Sequence, residues 1–469
     1  MAMASFYPLP SKEALQETFV GRSIKDVPTP AAVLDRNKIK RNCDRMLQAV
    51  KDLEFGWRAH IKTHKTTELT RLQVGHGTTP VNIIVSTIIE AENVLPLLHE
   101  YQSTGRQVNL LYSFPVAPGA IERLSLLAKQ LGAGGLCLMV DHHSQLDSVV
   151  AIHKSSSIPP NVFLKINVGD GHHRAGVVPQ SETCSQMITS LLSLEKADTA
   201  HLFGLYSHAG HSYSASNQAT ALDFLRQEFE ALRATAKLVH STSPSKSLVL
   251  SVGATPTSTS IRNLLVSSSF SADSDEGKAI AALKSTIAAI RKKNCDIEIH
   301  AGVYPVLDCQ QLATRALPTD GPNAMLTYDD LALTIVAEIA SVYPGRGENG
   351  TPEALLGAGC IALGREPCKA YAGWGVMTPW NRTGVEMPKV SLDEHRGWKV
   401  GRISQEHGIL TWDGEKGGEE PLEVGMKVRV WPNHACIASA GFGWYLVVDS
   451  SWEGKEDEIV DVWPRWRGW

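Results

Sequence analysis

The chain has 469 residues, of which 43% are hydrophobic and 20% are charged, and its formal net charge is −4. The chain has no excess of basic residues, so its composition gives no reason to expect binding to nucleic acids or anionic membrane surfaces. A chain of this length predicts two domains or one large barrel.

The eight cysteines are scattered and form no CxxC pair, which favours free thiols in a reducing compartment over a disulfide framework. No apolar run reaches the roughly 20 residues that span a bilayer, and the first residues lack the pattern of a signal peptide. We therefore predict a cytoplasmic protein that binds neither nucleic acid nor membrane.

The first part of the chain predicts little regular structure. Residues 1–26 read as a weakly structured lead-in, and Pro28 and Pro30 favour an extended segment over 27–35 because a proline keeps its predecessor out of the helical region. From 37 to 50 the apolar residues recur at helical spacing, which predicts an amphipathic helix.

Short β-rich runs then alternate with helix-like stretches such as 88–98, 118–131 and 215–241. The runs lie near 55–62, 81–86, 107–112, 136–140, 162–168, 202–206, 247–252 and 296–299. Largely apolar strands separated by helices are typical of a parallel sheet that is buried on both faces. Eight such units predict a (β/α)₈ barrel over 27–320, with its reactive residues at the carboxyl ends of the strands. A doubly wound sheet would give the same local pattern.

Two segments depart from this alternation. Residues 266–278 are serine-rich and acidic, too poor in apolar groups to pack, and predict a surface insertion that precedes a short helix. Beyond about residue 320 the helix-like gaps disappear, and β-rich runs are joined by loops rich in glycine, proline and charge. Residues 321–469 therefore predict a second, all-β domain.

The stretch from Arg58 to Lys65 carries the first candidate chemistry. Side chains alternate between the two faces of a strand, so we expect Arg58, His60, Lys62 and His64 to share one face. Crowded positive charge disfavours an ammonium, and a neutral amine at Lys62 could attack a carbonyl. The alternative is a solvated basic strand end without a function.

Further candidates follow later predicted strands, where a barrel enzyme carries its reactive groups. Gly253, Ala254 and Thr255 follow the seventh strand; small residues let backbone N–H groups approach a phosphate, although such a sequence is also typical of an ordinary turn. Arg174 lies between glycines, which suits a fixed cation for a bound anion or phenolate, or else a surface loop. The other rim candidates are Tyr206, His208, Tyr213, Tyr304 and Asp308.

In the predicted β domain, His434 and Cys436 are two positions apart. In an extended segment they would point the same way, and an imidazole with a thiolate favours Zn²⁺. Two protein ligands would leave positions open for water or substrate, although most such pairs are incidental. Gln405, in a Gln-Glu-His run, could supply a further polar contact.

Taken together, the chain resembles the eukaryotic D-serine dehydratase and D-threonine aldolase family, whose members are pyridoxal-phosphate enzymes of the alanine-racemase-like fold, also called fold-type III. The resemblance covers about residues 27–469. It rests on six stretches in the same order, 60–65, 171–176, 206–213, 251–257, 405–408 and 432–436.

The resemblance implies a fold, a (β/α)₈ barrel followed by an all-β domain, and a site. Lys62 would be the Schiff-base lysine, Arg174 would lie near the phenolic oxygen of pyridoxal phosphate, and His208 would pack on its ring. Gly253, Ala254 and Thr255 would hold the phosphate, with Tyr304 nearby; Ala254 stands where serine is commoner in the family. Tyr206, Tyr213 and Asp308 are further candidates for binding the cofactor. His434 and Cys436 would bind a catalytic zinc ion. The remaining expectations are substrate contacts from His60 and Gln405, and a homodimer.

The reaction we predict is D-serine dehydration to pyruvate and ammonia. Lys62 would remove the Cα proton, and the metal would assist loss of the β-hydroxyl group. The alternative is a metal-dependent aldolase that acts on D-threonine or another 3-hydroxy-D-amino acid and breaks the Cα–Cβ bond. The related aldolases tend to carry a carboxylate where Cys436 stands. A second alternative is a protein that binds pyridoxal phosphate without catalysis, although small proteins of that kind lack the β domain.

Overall fold

A computed structural model describes residues 3–168, 175–319, 324–380 and 395–469. Contacts divide the chain into two compact units. The barrel unit comprises Met1–Pro8, Arg45–Gly302 and Trp466–Trp469, and the sheet unit comprises Leu9–Asp44 and Val303–Arg465.

The strands are numbered along the chain. They are β1 (Ala31–Asp35), β2 (Gly56–His60), β3 (Val81–Val85), β4 (Val108–Pro115), β5 (Leu136–Val140), β6 (Asn161–Lys165), β7 (His201–Tyr206), β8 (Leu248–Val252), β9 (Cys295–Ala301), β10 (Leu333–Tyr343), β11 (Glu353–Leu356), β12 (Gly375–Pro379), β13 (Trp398–Ile403), β14 (Gly408–Trp412), β15 (Lys427–Pro432), β16 (Trp444–Val448) and β17 (Asp461–Pro464).

The α-helices are numbered in the same way. They are α1 (Lys12–Phe19), α2 (Arg36–Asp52), α3 (Thr67–Val74), α4 (Ile88–Ser103), α5 (Ile121–Leu131), α6 (Gln145–Ser156), α7 (Glu182–Lys196), α8 (Gln218–Thr242), α9 (Thr255–Ser260), α10 (Asp275–Arg291), α11 (Cys309–Thr314), α12 (Cys360–Leu363) and α13 (Ala435–Ala438).

Strands β2 to β9 pair in chain order, all parallel, and close into a barrel. This confirms the predicted (β/α)₈ barrel and excludes the doubly wound sheet. Apolar side chains fill part of its interior, and this cluster contains Ile84, Leu111, Cys137, Met139, Phe163 and Tyr206. The remaining interior positions on β2 and β9 are polar, which is unusual for a buried barrel core and locates the chemistry.

Side-chain caps explain where several helices of the barrel unit begin. Thr66, Thr87, Ser181 and Asn217 each accept a hydrogen bond from the backbone N–H three residues on, at the starts of α3, α4, α7 and α8. Ser274 caps α10 in the same way, so the end of the predicted insertion 266–278 is helical, while Ser267–Ser269 carries no buried residue.

The sheet unit contains a nine-stranded sheet in the order β11-β14-β13-β12-β15-β10-β1-β16-β17. An additional β10–β11 pairing closes six of these strands into a ring, and the register of this pairing shifts between Ile339 and Ser341. This agrees with the predicted all-β architecture. All pairs are antiparallel except β1 with β16.

The sequence predicted domain boundaries after residues 26 and 320, and the two compact units have different boundaries. Strand β1 lies within the predicted barrel range 27–320, yet it pairs with β10 and β16 of the sheet unit. Its partners are far away in sequence, so local pattern gave no indication of them. In the described part of the chain, no helix is long and apolar enough to cross a membrane.

Candidate active site

Lys62 lies in a turn that follows β2. The strand ends at His60, so the predicted alternation does not extend to His64, which turns away to contact Gln73 Oε1 at 2.8 Å and Thr66 Oγ1 at 3.1 Å. Lys62 is half-buried, and no residue in the described part of the chain makes an ion pair or hydrogen bond with its amine. The amine is therefore available for a ligand.

Carboxylates neutralise part of the positive charge that the sequence predicted for this stretch. Arg58 is fully buried and donates to Glu298 Oε1 at 2.7 Å and to Asn109 Oδ1 at 2.7 Å. Lys65 pairs with Glu90 Oε1 at 3.0 Å. Each of these cations has its own carboxylate, because a buried charge is costly unless it is paired.

Two buried histidines accompany Lys62. Burial lowers the pKa of His60 well below its usual range, and the charges of Lys62, His300 and His208 lower it further. Burial likewise lowers the pKa of His300, with contributions from His208 and Arg58. Both rings are therefore neutral at physiological pH and can accept hydrogen bonds. His60 Nε2 lies 3.4 Å from Ser86 Oγ.

The aromatic rings at the carboxyl ends of β7 and β9 are parallel. The Tyr206 ring stacks on that of His300, with centroids 4.3 Å apart and planes 6° apart. The ring of His208 lies 6.2 Å from that of His300, at 24°. Tyr206 is buried, whereas His208 and Tyr213 are half-buried. This arrangement suits a ligand with a flat ring, such as the pyridine ring of pyridoxal phosphate.

The loop after β8 approaches β9 very closely. Gly253 has φ +147°, and a Cβ there would lie 2.1 Å from the His300 carbonyl oxygen, so only glycine fits. Its carbonyl accepts from His208 Nδ1 at 2.6 Å. Its N–H donates to Glu228, and that of Ala254 donates to Thr257 Oγ1 at 2.9 Å. The predicted phosphate contacts of these two N–H groups would compete with those bonds, and the role of buried Thr255 also stays a prediction.

Glu228, on α8, holds the loops after β7 and β8 together. Its carboxylate is buried, and burial raises its pKa to about 7 although the donors around it oppose this. Four groups donate to it at 3.0–3.2 Å: the Ser207 and Thr257 hydroxyls and the Ala209 and Gly253 N–H groups. Glu228 thus orients both His208 and Gly253.

In the sheet unit, His434 and Cys436 do interact, but not as an extended pair. Cys436 lies in α13, a single helical turn for which His434 is the N-cap. Burial lowers the pKa of His434, but its hydrogen bond to Cys436 and the Cys436 and Asp308 charges outweigh this and raise it to about 9. At neutral pH the imidazole of His434 is therefore protonated.

Gln310 fixes how the His434 ring is presented. Its side-chain N–H₂ donates to the Pro367 carbonyl at 2.7 Å, so its Oε1 faces His434 Nδ1 at 2.6 Å as an acceptor. Nδ1 therefore carries a proton, and Nε2 is the nitrogen that could bind a metal, as is common for histidine ligands. The described residues contain no group of three or more His, Cys, Asp or Glu side chains that could hold a metal.

The other predicted residues of the sheet unit have internal contacts. Asp308 Oδ1 accepts from the Gln311 N–H and Oδ2 from the Ala435 N–H, each at 2.9 Å, so it braces the turn that carries His434. Tyr304 is buried, and its side chain lowers the pKa of the buried Cys43 thiol against the larger effect of burial, which raises it. Gln405 is exposed in the turn between β13 and β14. Arg174 lies outside the described residues, so its role stays a prediction, like those of the other site residues.

Three residues of these sites were missed by the sequence reasoning. His300 was overlooked because the predicted strand ended at residue 299, although the Ile-Glu-Ile-His alternation continues through it. Glu228 lies in the middle of a long helix, and Gln310 lies in the short helix α11 without a distinctive motif. No local signal in the sequence marks either of them.

Comparison with known proteins agrees with this architecture. The family model described as "Putative serine dehydratase domain" matches residues 332–448, and "Alanine racemase, N-terminal domain" matches residues 34–266. The chain is 36% identical to a D-serine dehydratase from Schizosaccharomyces pombe, with 99% of this chain and 97% of that protein covered. It is 32% identical to the D-serine dehydratase of Saccharomyces cerevisiae, with 96% and 98% covered.

This chain belongs to the D-serine dehydratase family. Like that family it is a pyridoxal-phosphate-dependent enzyme of the alanine-racemase-like fold, and it is a lyase. The solved structure of D-threo-3-hydroxyaspartate dehydratase from Delftia sp. has the same fold, with a TM-score of 0.69 at 23% identity over 95% of this chain and 100% of that one. A binding protein without catalysis is excluded.

Proposed function

We propose that this family member is a zinc- and pyridoxal-phosphate-dependent D-serine dehydratase, which converts D-serine to pyruvate and ammonia. The observation that carries the proposal is the half-buried Lys62 amine beside the neutral imidazoles of His60 and His300. Its identity of 32–36% to two yeast D-serine dehydratases over nearly its whole length supports the same substrate.

The residues of the barrel unit fit the cofactor. The Lys62 amine could bond its aldehyde, and the stacked Tyr206, His208 and His300 rings offer flat surfaces. His300 Nε2 is a buried nitrogen without a hydrogen-bond partner among the described residues, which an incoming donor would satisfy. Bound there, the cofactor supplies an electron sink for the electrons left at Cα when its proton is removed.

The residues of the chain would then bind, orient and move protons. Lys62 Nζ takes the Cα proton of the D-amino acid. His60, neutral because it is buried, offers a nitrogen to a polar group of the substrate without adding a positive charge next to the lysine. Glu228 holds His208 and Gly253 in place from behind.

His434 Nε2 and the Cys436 thiolate fit zinc, because both are ligands that Zn²⁺ prefers and Gln310 orients the imidazole. A zinc ion there would act as a Lewis acid and help the β-hydroxyl group to leave. Solved structures of D-threo-3-hydroxyaspartate dehydratase include alanine variants of a histidine and of a cysteine two positions apart, the second described as metal-free. The spacing is the same as that of His434 and Cys436.

Product analysis with three substrates tests the proposal. The purified enzyme, loaded with pyridoxal phosphate and zinc, is incubated separately with D-serine, L-serine and D-threonine, and pyruvate, ammonia and glycine are measured. We expect pyruvate and ammonia in equal amounts from D-serine and none from L-serine. Glycine from D-threonine, with no pyruvate from D-serine, would show that the enzyme is the alternative aldolase.

The location and assembly are also proposals. A cytoplasmic homodimer is expected for this family member. Light scattering coupled to gel filtration should give twice the chain mass of 51.0 kDa; a mass equal to that of one chain would contradict the dimer.

A further inference from the structure

His300 has one ring nitrogen whose function the contacts of the protein do not explain. The residue is 1% exposed, and its Nε2 has no hydrogen-bond partner in the described part of the chain. Leaving a buried polar atom without a partner is costly, so native proteins rarely do so unless a ligand completes it.

The hydrogen bonds beneath His300 fix its tautomer. The guanidinium of Arg58 holds Glu298, which is therefore a carboxylate and accepts from the Ser251 hydroxyl at 2.8 Å. Because the Ser251 proton is used in this bond, the Ser251 oxygen accepts from His300 Nδ1, 3.0 Å away. The proton of the neutral ring is thus on Nδ1, and Nε2 presents a bare lone pair.

The orientation of that lone pair is also fixed. His300 follows Glu298 by two residues on β9, so both side chains point into the barrel interior, as do Arg58 on β2 and Ser251 on β8. The parallel Tyr206 ring prevents rotation of the imidazole. Nδ1 faces Ser251, so Nε2 is on the opposite side of the ring, and the centroid of the His208 ring lies 6.2 Å from that of His300.

We propose that His300 Nε2 accepts a hydrogen bond from an N–H or O–H group on the ring of bound pyridoxal phosphate. This inference rests on the proposed function, because it places the cofactor at Lys62. A neutral acceptor held in one tautomer would favour the protonated state of the donor without competing for positive charge with Lys62. His300 would then contribute to cofactor affinity and to the protonation of the cofactor.

Two amide variants separate the two nitrogens. In His300→Asn, the amide nitrogen replaces Nδ1 and keeps the bond to Ser251, but no atom replaces Nε2. In His300→Gln, the amide oxygen reaches the position of Nε2 and restores an acceptor. The apo-protein of each variant is titrated with pyridoxal phosphate alone, and the affinity is measured by fluorescence quenching. The absorbance of the bound cofactor is then followed as a function of pH.

We expect His300→Asn to bind the cofactor about tenfold more weakly, the effect of one lost hydrogen bond to a buried partner. The pH midpoint of the cofactor absorbance should fall, because the protonated donor has lost its acceptor. His300→Gln should recover part of both quantities. The exposed His99→Asn is the matched control and should equal the wild type.

Three results would overturn the inference. His300→Asn could keep both the affinity and the pH midpoint of the wild type. It could keep the affinity and raise only the KM for D-serine, which would assign Nε2 to the substrate. Both variants could lose the same amount of affinity for pyridoxal phosphate and also have a lower Tm, which would show that His300 has a structural role. A wild-type apo-protein that binds no pyridoxal phosphate would instead refute the proposed function, and the inference with it.

Discussion

The barrel mouth and the His434 turn both present histidines for chemistry, but in opposite protonation states. Burial lowers the pKa of His60, His300 and His434 alike. In the barrel, the charges near the first two rings are mostly positive, so burial and charge act together and the rings stay neutral. In the sheet unit, Cys436 and Asp308 outweigh burial and raise the pKa of His434 to about 9.

The difference indicates what each region is built to receive. The barrel mouth offers a free amine and neutral acceptors, which suit a carbonyl compound with its own N–H and O–H donors. The turn carries a protonated imidazole beside a cysteine, and a zinc ion that binds both would displace the protons of the imidazole and the thiol. The same residue type therefore has two functions, which its neighbours determine.

Replacing Lys62 should have the largest effect. Lys62→Ala removes both the amine that bonds the cofactor and the base for the Cα proton, so turnover should fall by about 10³-fold or more. The visible absorbance of the bound cofactor should disappear. Steady-state assays and absorbance spectra measure both, with the exposed Lys51→Ala as control. A variant that keeps the absorbance would assign the bond to another lysine.

Breaking the buried ion pair should affect stability next. Glu298→Gln leaves the Arg58 guanidinium buried without a counter-charge, which typically costs about 3–5 kcal/mol in the free energy of unfolding. Urea denaturation measures this. The double variant Arg58→Met/Glu298→Leu should recover part of the loss, since it leaves no unpaired charge. Equal stability of wild type and Glu298→Gln would show that the pair is not essential to the barrel.

Replacing a residue of the His434–Cys436 pair should lower turnover without weakening cofactor binding. His434→Ala should lower kcat for D-serine by about 100-fold and reduce the zinc content, because a Lewis acid contributes a few kcal/mol to the departure of hydroxide. Elemental analysis and kinetics measure these two quantities. The exposed His407→Ala should match the wild type. An unchanged rate at low zinc content would remove the metal from the mechanism.

Glu228 should give the smallest effect at neutral pH, because what it changes is the dependence of stability on pH. Its folded pKa, about 7, is above the usual 4.5, so the folded protein binds this proton more tightly than the unfolded chain. The stabilisation is complete below pH 4.5 and is lost as the pH rises through about 7, a change of about 3 kcal/mol.

Denaturation of the wild type at pH 5 and pH 8, corrected with Glu228→Gln, should isolate this change. The amide has no proton to lose, so the variant should lack that part of the pH dependence. Glu423→Gln, at an exposed position, should behave as the wild type. A variant with the full wild-type dependence would assign the effect to another group.

The sequence predicted the parts of the fold that local pattern specifies. The eight barrel strands follow from apolar runs and their spacing, and the resemblance located Lys62 and the His434–Cys436 pair. The sequence did not predict which strands and side chains these elements contact. β1 belongs to a sheet formed mainly by residues far along the chain, and Cys436 lies in a helical turn because Asp308 caps the Ala435 N–H.

The protonation states could not be read from sequence either. The run from Arg58 to Lys65 looks like crowded positive charge, yet Glu298 and Glu90 pair with its cations from strands and helices elsewhere in the barrel unit. Only the closed barrel brings these carboxylates to the lysine turn. Electrostatics at such a site depend on tertiary contacts and not on the local composition.

Borohydride reduction of the holoenzyme tests the central claim most directly. Reduction makes the bond between the cofactor and its lysine permanent, and peptide mapping by mass spectrometry then locates it. We predict a phosphopyridoxyl group on the peptide that contains Lys62 and on no other peptide. The same group on a different lysine, with none on Lys62, would contradict the account.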